Sequence, residues 1–192
     1  PWIGYRTLDL DGAHVEFFRG IANPVGLKIG PGLEPQAVVA LLQRLDPNRQ
    51  PGKIALIARF GAHQVAHELP RIIDAVKSSG WTPTWVCDPM HGNTETVIPS
   101  SGAGAGVPIK TRKFAHILAE LEQSFEIHRA KGVPLGGVHI ELTGEDVTEC
   151  TGGARGLSDE QLARAYRGRV DPRLTYEQAL EMGMLIARRM RD

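Results

Sequence analysis

The sequence predicts an α/β fold in which helices cover a parallel β-sheet. Short apolar runs of strand length alternate along the chain with segments of helical periodicity. Each apolar run ends in a charged or polar side chain followed by glycine or proline. Three of these polar residues, Lys28, Arg59 and His91, are spaced by 31 and 32 residues, the length of one βα unit. A regular βα repeat of this kind predicts parallel strands.

Four apolar runs have the length and composition of buried strands. They cover residues 25–29, 54–60, 84–87 and 137–142. A further short strand is expected at the start of the chain, before Arg6. Such a sheet is either a (β/α) barrel or a doubly wound sheet, and both bind ligands at the carboxyl ends of their strands. The glycine-rich motifs of nucleotide-binding doubly wound proteins, GxGxxG and GxxxxGK[ST], are not present in the sequence.

Apolar residues spaced by threes and fours predict five helices. These helices cover residues 34–45, 67–78, 112–129, 158–166 and 175–191. The last two open with Ser-x-x-Gln and Thr-x-x-Gln, the pattern of a capping box. Residues 95–110 are rich in glycine, proline and small residues without a period, and we expect a flexible loop there, near the functional face.

The composition excludes several classes of protein. The chain has 192 residues with 22 basic and 22 acidic side chains, so the sequence carries no basic surface for nucleic acid. No apolar run approaches the roughly 20 residues that a membrane helix needs. Two cysteines make no disulfide framework, and we expect no signal peptide before the first structured segment. These features predict a cytoplasmic protein.

The residues at the predicted strand ends have the chemistry of a binding site. They are Arg6, Lys28, Arg59, His91 and Glu141, with Asp171 following between the last two helices. Neighbouring cations favour an anionic ligand such as phosphate or carboxylate. An imidazole with two carboxylates suits a divalent metal of the Mn, Fe, Co or Zn kind. An anionic substrate beside a divalent cation indicates chemistry on phosphorylated metabolites.

Each of these residues also has an ordinary structural interpretation. A lysine at a strand end is usually a solvated rim residue, and a histidine before glycine is usually a loop residue. The sequence Asp171-Pro172 is also typical of a simple turn. Glu141 is harder to explain in this way, because it follows an apolar run and an unpaired buried carboxylate is costly. Their regular placement favours the functional interpretation for the set.

Two long motifs resemble one enzyme family. Residues 85–94, WVCDPMHGNT, and 136–150, GGVHIELTGEDVTEC, are similar to signatures of the type II 3-deoxy-D-arabino-heptulosonate 7-phosphate (DAHP) synthases of plants and actinobacteria. Residues 23–31, NPVGLKIGP, and 171–174, DPRL, are similar as well. The resemblance covers essentially the whole chain, and motifs of this length are specific.

The resemblance implies a fold and a reaction. The family has a (β/α)8 barrel, and residues 1–192 would form the C-terminal half of that single catalytic domain, about four to five βα units. The family condenses phosphoenolpyruvate with erythrose 4-phosphate to DAHP and phosphate, the first step of the shikimate pathway. Divalent metal is implied as cofactor, Mn²⁺ first and Co²⁺ as an alternative. A homo-oligomer is implied for the complete enzyme.

The resemblance also implies roles for six residues. His91, Glu141 and Asp171 match three of the family's four metal ligands. Arg6, Lys28 and Arg59 match the cations that hold phosphoenolpyruvate, and Lys28, Arg59 and His91 are the implied catalytic residues. In this interpretation, Asp88-Pro89 ends a strand so that His91 can reach the metal.

Three departures from the family pattern leave alternatives open. Neither Cys87 nor Cys150 matches the family's fourth metal ligand, a cysteine, which would precede Pro1 together with the main sugar-phosphate motif. The sequence has Tyr5 where the family usually has glutamate. We therefore expect a piece of a longer chain. The alternatives are a non-catalytic half-barrel that binds a partner or a phosphometabolite, and a divergent metal-dependent aldolase.

Overall fold

The computed structural model describes residues 1–191. Seven strands and five α-helices follow one another along the chain. In order they are β1 (Trp2–Ile3), α1 (Ala13–Arg19), β2 (Val25–Ile29), α2 (Pro35–Leu45), β3 (Ile54–Ala58), α3 (Val65–Ser79), β4 (Thr84–Cys87), β5 (Thr94–Val97), β6 (Ile109–Arg112), α4 (Phe114–Lys131), β7 (Leu135–Val138) and α5 (Tyr176–Arg189). Two short 3₁₀ helices cover Tyr5–Thr7 and Asp159–Arg164.

The chain divides into two compact units. Unit 1 contains residues 1–92 and 120–139, and unit 2 contains residues 93–119 and 140–192. Of the three boundaries between them along the chain, the one at residues 119–120 falls inside α4. That residues 1–192 belong to one catalytic domain stays a prediction.

Unit 1 is built on a five-stranded sheet in the order β1-β2-β3-β4-β7, and every neighbouring pair is parallel. Strand β2 is buried at each of its five positions, as a strand covered on both faces must be. Helix α2 begins with Pro35 at its first turn, where the missing N–H costs nothing. Helix α3 ends at Gly80, whose φ of 79° is the left-handed conformation that glycine adopts readily. These alternating βα units confirm the predicted α/β fold with a parallel sheet.

Unit 2 contains a two-stranded antiparallel sheet of β5 and β6, followed by irregular chain and α5. The side chain of Thr175 accepts a hydrogen bond from the Gln178 backbone, and Gln178 returns one to Thr175, so the predicted capping box opens α5. Single bridges join Leu142 to Leu174 and Lys113 to Thr151. These bridges hold the long segment between β7 and α5.

The structure corrects four of the predicted elements. The strand predicted at 54–60 ends at Ala58. The strand predicted at 137–142 lies instead at Leu135–Val138, so that it ends four residues earlier. The predicted helix 158–166 is a short 3₁₀ helix. Within the predicted loop 95–110, residues 95–97 belong to β5 and residues 109–110 to β6, and its predicted flexibility stays a prediction.

Helix α1 was not predicted, because its sequence AHVEFFR buries one residue, Val15, and is too short to show a helical period. None of the helices among residues 1–191 combines the length and apolarity that a membrane crossing requires.

Candidate metal and anion site

The carboxyl ends of neighbouring strands in unit 1 carry the residues that the sequence analysis singled out. Lys28 lies near the end of β2, Arg59 follows β3, and His91 follows β4 by four residues. Because β2, β3 and β4 are adjacent and parallel, their ends lie at the same edge of the sheet. Lys28, Arg59 and His91 therefore lie at one edge of the sheet.

Asp88 connects two of these residues. Its carboxylate is fully buried and forms an ion pair with Lys28 Nζ, which is itself only 6% exposed. The same carboxylate accepts hydrogen bonds from the backbone N–H groups of Met90, at 3.1 Å, and His91, at 3.2 Å. It also lies 2.8 Å from Nδ1 of the His91 ring. A single buried acid thus fixes a strand-end lysine and the histidine loop.

The ionisation of Asp88 determines which nitrogen of His91 carries a proton. Burial alone would raise the pKa of Asp88, but the hydrogen bond from His91 and the charge of Lys28 hold that pKa well below its usual range. An ionised carboxylate can only accept, so Nδ1 must be the protonated nitrogen of the neutral ring. The ring's lone pair is then on Nε2, the arrangement that carboxylate–histidine pairs use at metal centres.

His139 is a third member of this group that the sequence analysis did not assign. It follows β7, and its ring lies 5.9 Å from the His91 ring, centroid to centroid. Asp88, His91 and His139 each offer one ligand atom, and all three atoms lie within 4.8 Å of one another. Unit 1 therefore contains a group of donors of the type that binds a transition metal.

Arg59 is held against the histidine loop. Its guanidinium donates to the backbone carbonyl of His91 at 2.5 Å, and its Cζ lies 5.0 Å from the centre of the Tyr5 ring. The Tyr5 hydroxyl donates to the carbonyl of Pro31. Tyr5, at the position where the family usually has an acid, thus packs against Arg59. Arg6 is exposed in the 3₁₀ helix Tyr5–Thr7 and is not brought into this group.

The loop that carries His91 lies directly on the loop that follows Arg59. A Cβ atom added to Gly92 would lie 2.3 Å from the backbone nitrogen of Gly61, so only glycine fits there. The carboxylate of Glu120, on α4, accepts the N–H groups of Phe60 at 2.7 Å and Gly61 at 2.9 Å. These contacts fix the height of Arg59 and His91 above the sheet.

Unit 2 carries the other two predicted metal ligands, Glu141 and Asp171. Glu141 lies three residues after the end of β7 and accepts a hydrogen bond of 2.6 Å from Arg112. Asp171 forms an ion pair with Lys110, and its other oxygen lies 3.9 Å from Arg112. Both carboxylates line a cavity of about 580 Å³. The two acids therefore share one buried cation, Arg112, and line a space large enough for a small metabolite.

A buried acid, Glu149, holds the loop that carries Asp171. Its carboxylate accepts the backbone N–H groups of Arg167, Gly168 and Arg173, at 2.7–3.1 Å, and also pairs with the Arg173 guanidinium. Burial alone would raise the pKa of Glu149, but these bonds, led by that of Arg173, lower it. The position of Asp171 is thus set by its neighbours in the chain.

Four residues that contact or hold the predicted site residues were given no role in the sequence analysis: Asp88, Arg112, His139 and Glu149. Asp88 was interpreted as the end of a strand, and Arg112 as the first residue of a helix. The one signal that could have found them is a charged residue inside a buried run, because such a charge needs a partner. Asp88 directly follows Trp85-Val86-Cys87 and fits that description.

The fold and these groups define a class of protein, the α/β proteins whose ligands bind beyond the carboxyl ends of parallel strands. The model of the class-II DAHP synthetase family matches residues 1–187, and the chain belongs to this family. The predicted resemblance is confirmed.

Three curated relatives are each described as a phospho-2-dehydro-3-deoxyheptonate aldolase. The chain is 51% identical to the protein of Neurospora crassa, in an alignment that covers 97% of this chain. It is 48% identical to the protein of Mycolicibacterium smegmatis, in an alignment that covers the whole of this chain. It is 42% identical to the protein of Streptomyces coelicolor, again over the whole of this chain. The chain spans 37–41% of the length of these relatives.

Proposed function

We propose that the protein carrying this chain condenses phosphoenolpyruvate with erythrose 4-phosphate to DAHP and phosphate, the first step of the shikimate pathway. Membership of the class-II family and the activity in the names of the three relatives support this proposal. The observation that carries it is the placement of Lys28, Arg59 and His91 at the carboxyl ends of three adjacent parallel strands.

The cations of unit 1 are proposed to bind phosphoenolpyruvate. Lysine has three N–H donors, and Asp88 takes one of those of Lys28, so the others can reach a phosphate or a carboxylate. Arg59 is half-buried, and its planar guanidinium suits bidentate binding of either group. Arg6 is proposed as a third, more exposed cation. Together they would offset the charge that develops as phosphate leaves.

The metal ligands are proposed to be His91, Glu141 and Asp171, with Mn²⁺ as the metal and Co²⁺ as an alternative. The donor set fits, because one imidazole with its lone pair on Nε2 and two carboxylates suit divalent ions of this kind. When bound, the metal supplies Lewis-acid polarisation of the aldehyde carbonyl. Asp88 would keep His91 in the required tautomer.

The parallel sheet is proposed to belong to a (β/α)8 barrel. Its strands lie in chain order, β1-β2-β3-β4-β7, as successive strands of a barrel do. The proposed contribution of this chain is about four to five of the eight units.

A second candidate is a protein that binds phosphometabolites without catalysis. Tyr5 favours this second candidate, because a phenol stands at the position where the family usually has an acid, and a phenol cannot act as a carboxylate. The Tyr5 side chain instead packs against Arg59 and donates a hydrogen bond to Pro31. In that case the cations of unit 1 would still bind phosphoenolpyruvate.

One experiment separates these functions. The full-length natural protein is assayed for DAHP formation and phosphate release with Mn²⁺ and both substrates, and phosphoenolpyruvate binding is measured by calorimetry. We expect Arg59→Ala to lower kcat/KM by at least about tenfold. Arg71→Ala, an exposed arginine on α3, serves as the control and should change kcat/KM little. Binding of phosphoenolpyruvate without any DAHP formation would support the second candidate.

A further inference from the structure

Arg112 lies at the end of β6 with its side chain fully buried, and its guanidinium contacts are all within unit 2. Nε donates to the Thr94 hydroxyl at 2.9 Å. One terminal nitrogen donates to Glu141 Oε2 at 2.6 Å and to the Pro172 carbonyl. The other terminal nitrogen lies 3.9 Å from Asp171 Oδ2 and has no hydrogen-bond partner among residues 1–191.

A guanidinium buried in this way is costly unless its charge is compensated. The compensating groups of Arg112 are the two carboxylates that line the 580 Å³ cavity, Glu141 and Asp171. Conversely, two carboxylates at one cavity repel each other, and a cation between them offsets that repulsion. The charge of Arg112 and the charges of these two acids therefore compensate one another.

We propose that Arg112 is a positioning residue that holds Glu141 and Asp171 in the orientation needed for metal coordination. This inference rests on the proposed function, in which these two acids are ligands. The guanidinium holds Glu141 through its Oε2 atom. It holds Asp171 through the backbone of Pro172 and through the charge of the second terminal nitrogen.

The shape of the guanidinium is essential to this role. Its planar set of donors reaches Thr94, Glu141 and Pro172 in three fixed directions at once. A lysine ammonium in the same place would keep the charge but could not keep these directions. Charge compensation alone and positioning therefore predict different results for Arg112→Lys.

The test measures metal binding to the full-length protein, not only activity. Mn²⁺ is titrated into metal-free protein and its dissociation constant is determined from the free-ion electron paramagnetic resonance signal. Co²⁺ is added in parallel, and its visible absorption spectrum reports the coordination geometry. We expect Arg112→Lys to weaken Mn²⁺ binding by at least about tenfold and to alter the Co²⁺ spectrum.

Thr94→Val provides a milder change that leaves the arginine in place. It removes one tether of Nε while keeping the size of the side chain, and we expect Mn²⁺ binding to weaken about threefold. Arg155→Lys is the matched control, because Arg155 lies in the same unit and pairs with Asp146 and Glu177. It should leave both the Mn²⁺ dissociation constant and the Co²⁺ spectrum unchanged.

The outcomes distinguish the inference from the proposed function beneath it. If His91→Ala binds Mn²⁺ as tightly as the unaltered protein, the proposed metal site itself is wrong. If His91→Ala loses Mn²⁺ binding while Arg112→Lys and Thr94→Val retain unaltered affinity and spectra, Arg112 has no positioning role. If Arg112→Lys does not fold, Thr94→Val decides, and an unaltered affinity and spectrum for it overturn the inference.

Discussion

At the scale of single residues, the buried carboxylate of Asp88 contacts several parts of the candidate site at once. It compensates Lys28, orients the His91 ring and accepts two backbone N–H groups of the following loop. Replacing it by asparagine keeps the shape but removes the charge, and this leaves Lys28 buried without a counter-ion.

We expect Asp88→Asn to lower the free energy of unfolding by about 3–5 kcal/mol, the usual cost of removing one partner of a buried ion pair. Urea denaturation at pH 7 measures this loss. Asp74→Asn removes an exposed acid that pairs with Lys131 on the surface of the same unit, and it should cost less than about 1 kcal/mol. Equal losses for the two variants would contradict the central role given to Asp88.

The lowered pKa of Glu149 predicts that the stability of the protein depends on pH. Its pKa is lowered in the folded protein, so its contribution to stability is complete above the unfolded pKa of about 4.3 and is lost as the pH falls through the lower, folded value. We expect Glu149→Gln to be destabilised by about 3 kcal/mol at pH 7. The difference from the unaltered protein should shrink at pH 3.

Urea denaturation at both pH values gives these free energies of unfolding. Glu34→Gln is the control, because its side chain is 75% exposed, and it should lie within about 0.5 kcal/mol of the unaltered protein at either pH. A Glu149→Gln difference that stays constant from pH 7 to pH 3 would exclude this role of the carboxylate.

The sequence was sufficient to predict which polar residues lie at the strand ends, but it was not sufficient to predict the residues that hold them in place. Lys28, Arg59 and His91 stand at regular intervals, so their strand-end positions follow from the βα repeat. Arg112 stands beside Lys113 in a basic run, KTRK, which is typical of an exposed surface. Its burial depends on partners 29 to 60 residues away, and periodicity contains no information about them.

At the scale of elements, the loop after β4 depends on a close backbone approach at Gly92. We expect Gly92→Ala to destabilise the protein by more than about 1 kcal/mol, because the added Cβ meets the Gly61 backbone at 2.3 Å. Gly183→Ala is the opposite case. It lies in α5 with no atom within 4 Å of the added Cβ, and we expect it to stabilise by about 0.5–1 kcal/mol.

Thermal unfolding of the two glycine variants under identical conditions tests both predictions. A lowered melting temperature for Gly183→Ala would mean that the surroundings of α5 differ from those described. An unchanged melting temperature for Gly92→Ala would mean that the loop after β4 can move away from Gly61.

The predicted elements with long, regular apolar patterns were the accurate ones. Helices α2 and α3 begin and end within two residues of their predicted limits, because each buries one continuous stripe. The last predicted strand was placed too late, because the predicted run 137–142 continues beyond Val138, where the pairing with β4 stops. Tertiary pairing, rather than local preference, sets that boundary.

At the scale of the whole molecule, metal binding should raise the melting temperature. A ligand that binds only the folded state stabilises it by about 2.7 kcal/mol at a concentration one hundred times its dissociation constant. We expect Mn²⁺ to raise the melting temperature of the metal-free, full-length protein, and a chelator to reverse the increase. His91→Ala should abolish the increase, because it removes the proposed imidazole ligand.

His67→Ala is the control for this measurement, since His67 is an exposed histidine on α3. Its response to Mn²⁺ should match that of the unaltered protein. An increase in melting temperature that survives in His91→Ala would place the metal elsewhere.

The discontinuity of unit 1 has a consequence for how the chain is made. β4 acquires its second neighbour, β7, only after residues 135–138 have left the ribosome, and residues 93–119, which belong to unit 2, are synthesised in between. At the usual rate of protein synthesis, about 5–20 residues per second, the backbone groups on the outer edge of β4 remain unpaired for several seconds. An exposed strand edge is a template for wrong pairing, so this interval is the point in biosynthesis at which a chaperone would protect the nascent chain most effectively.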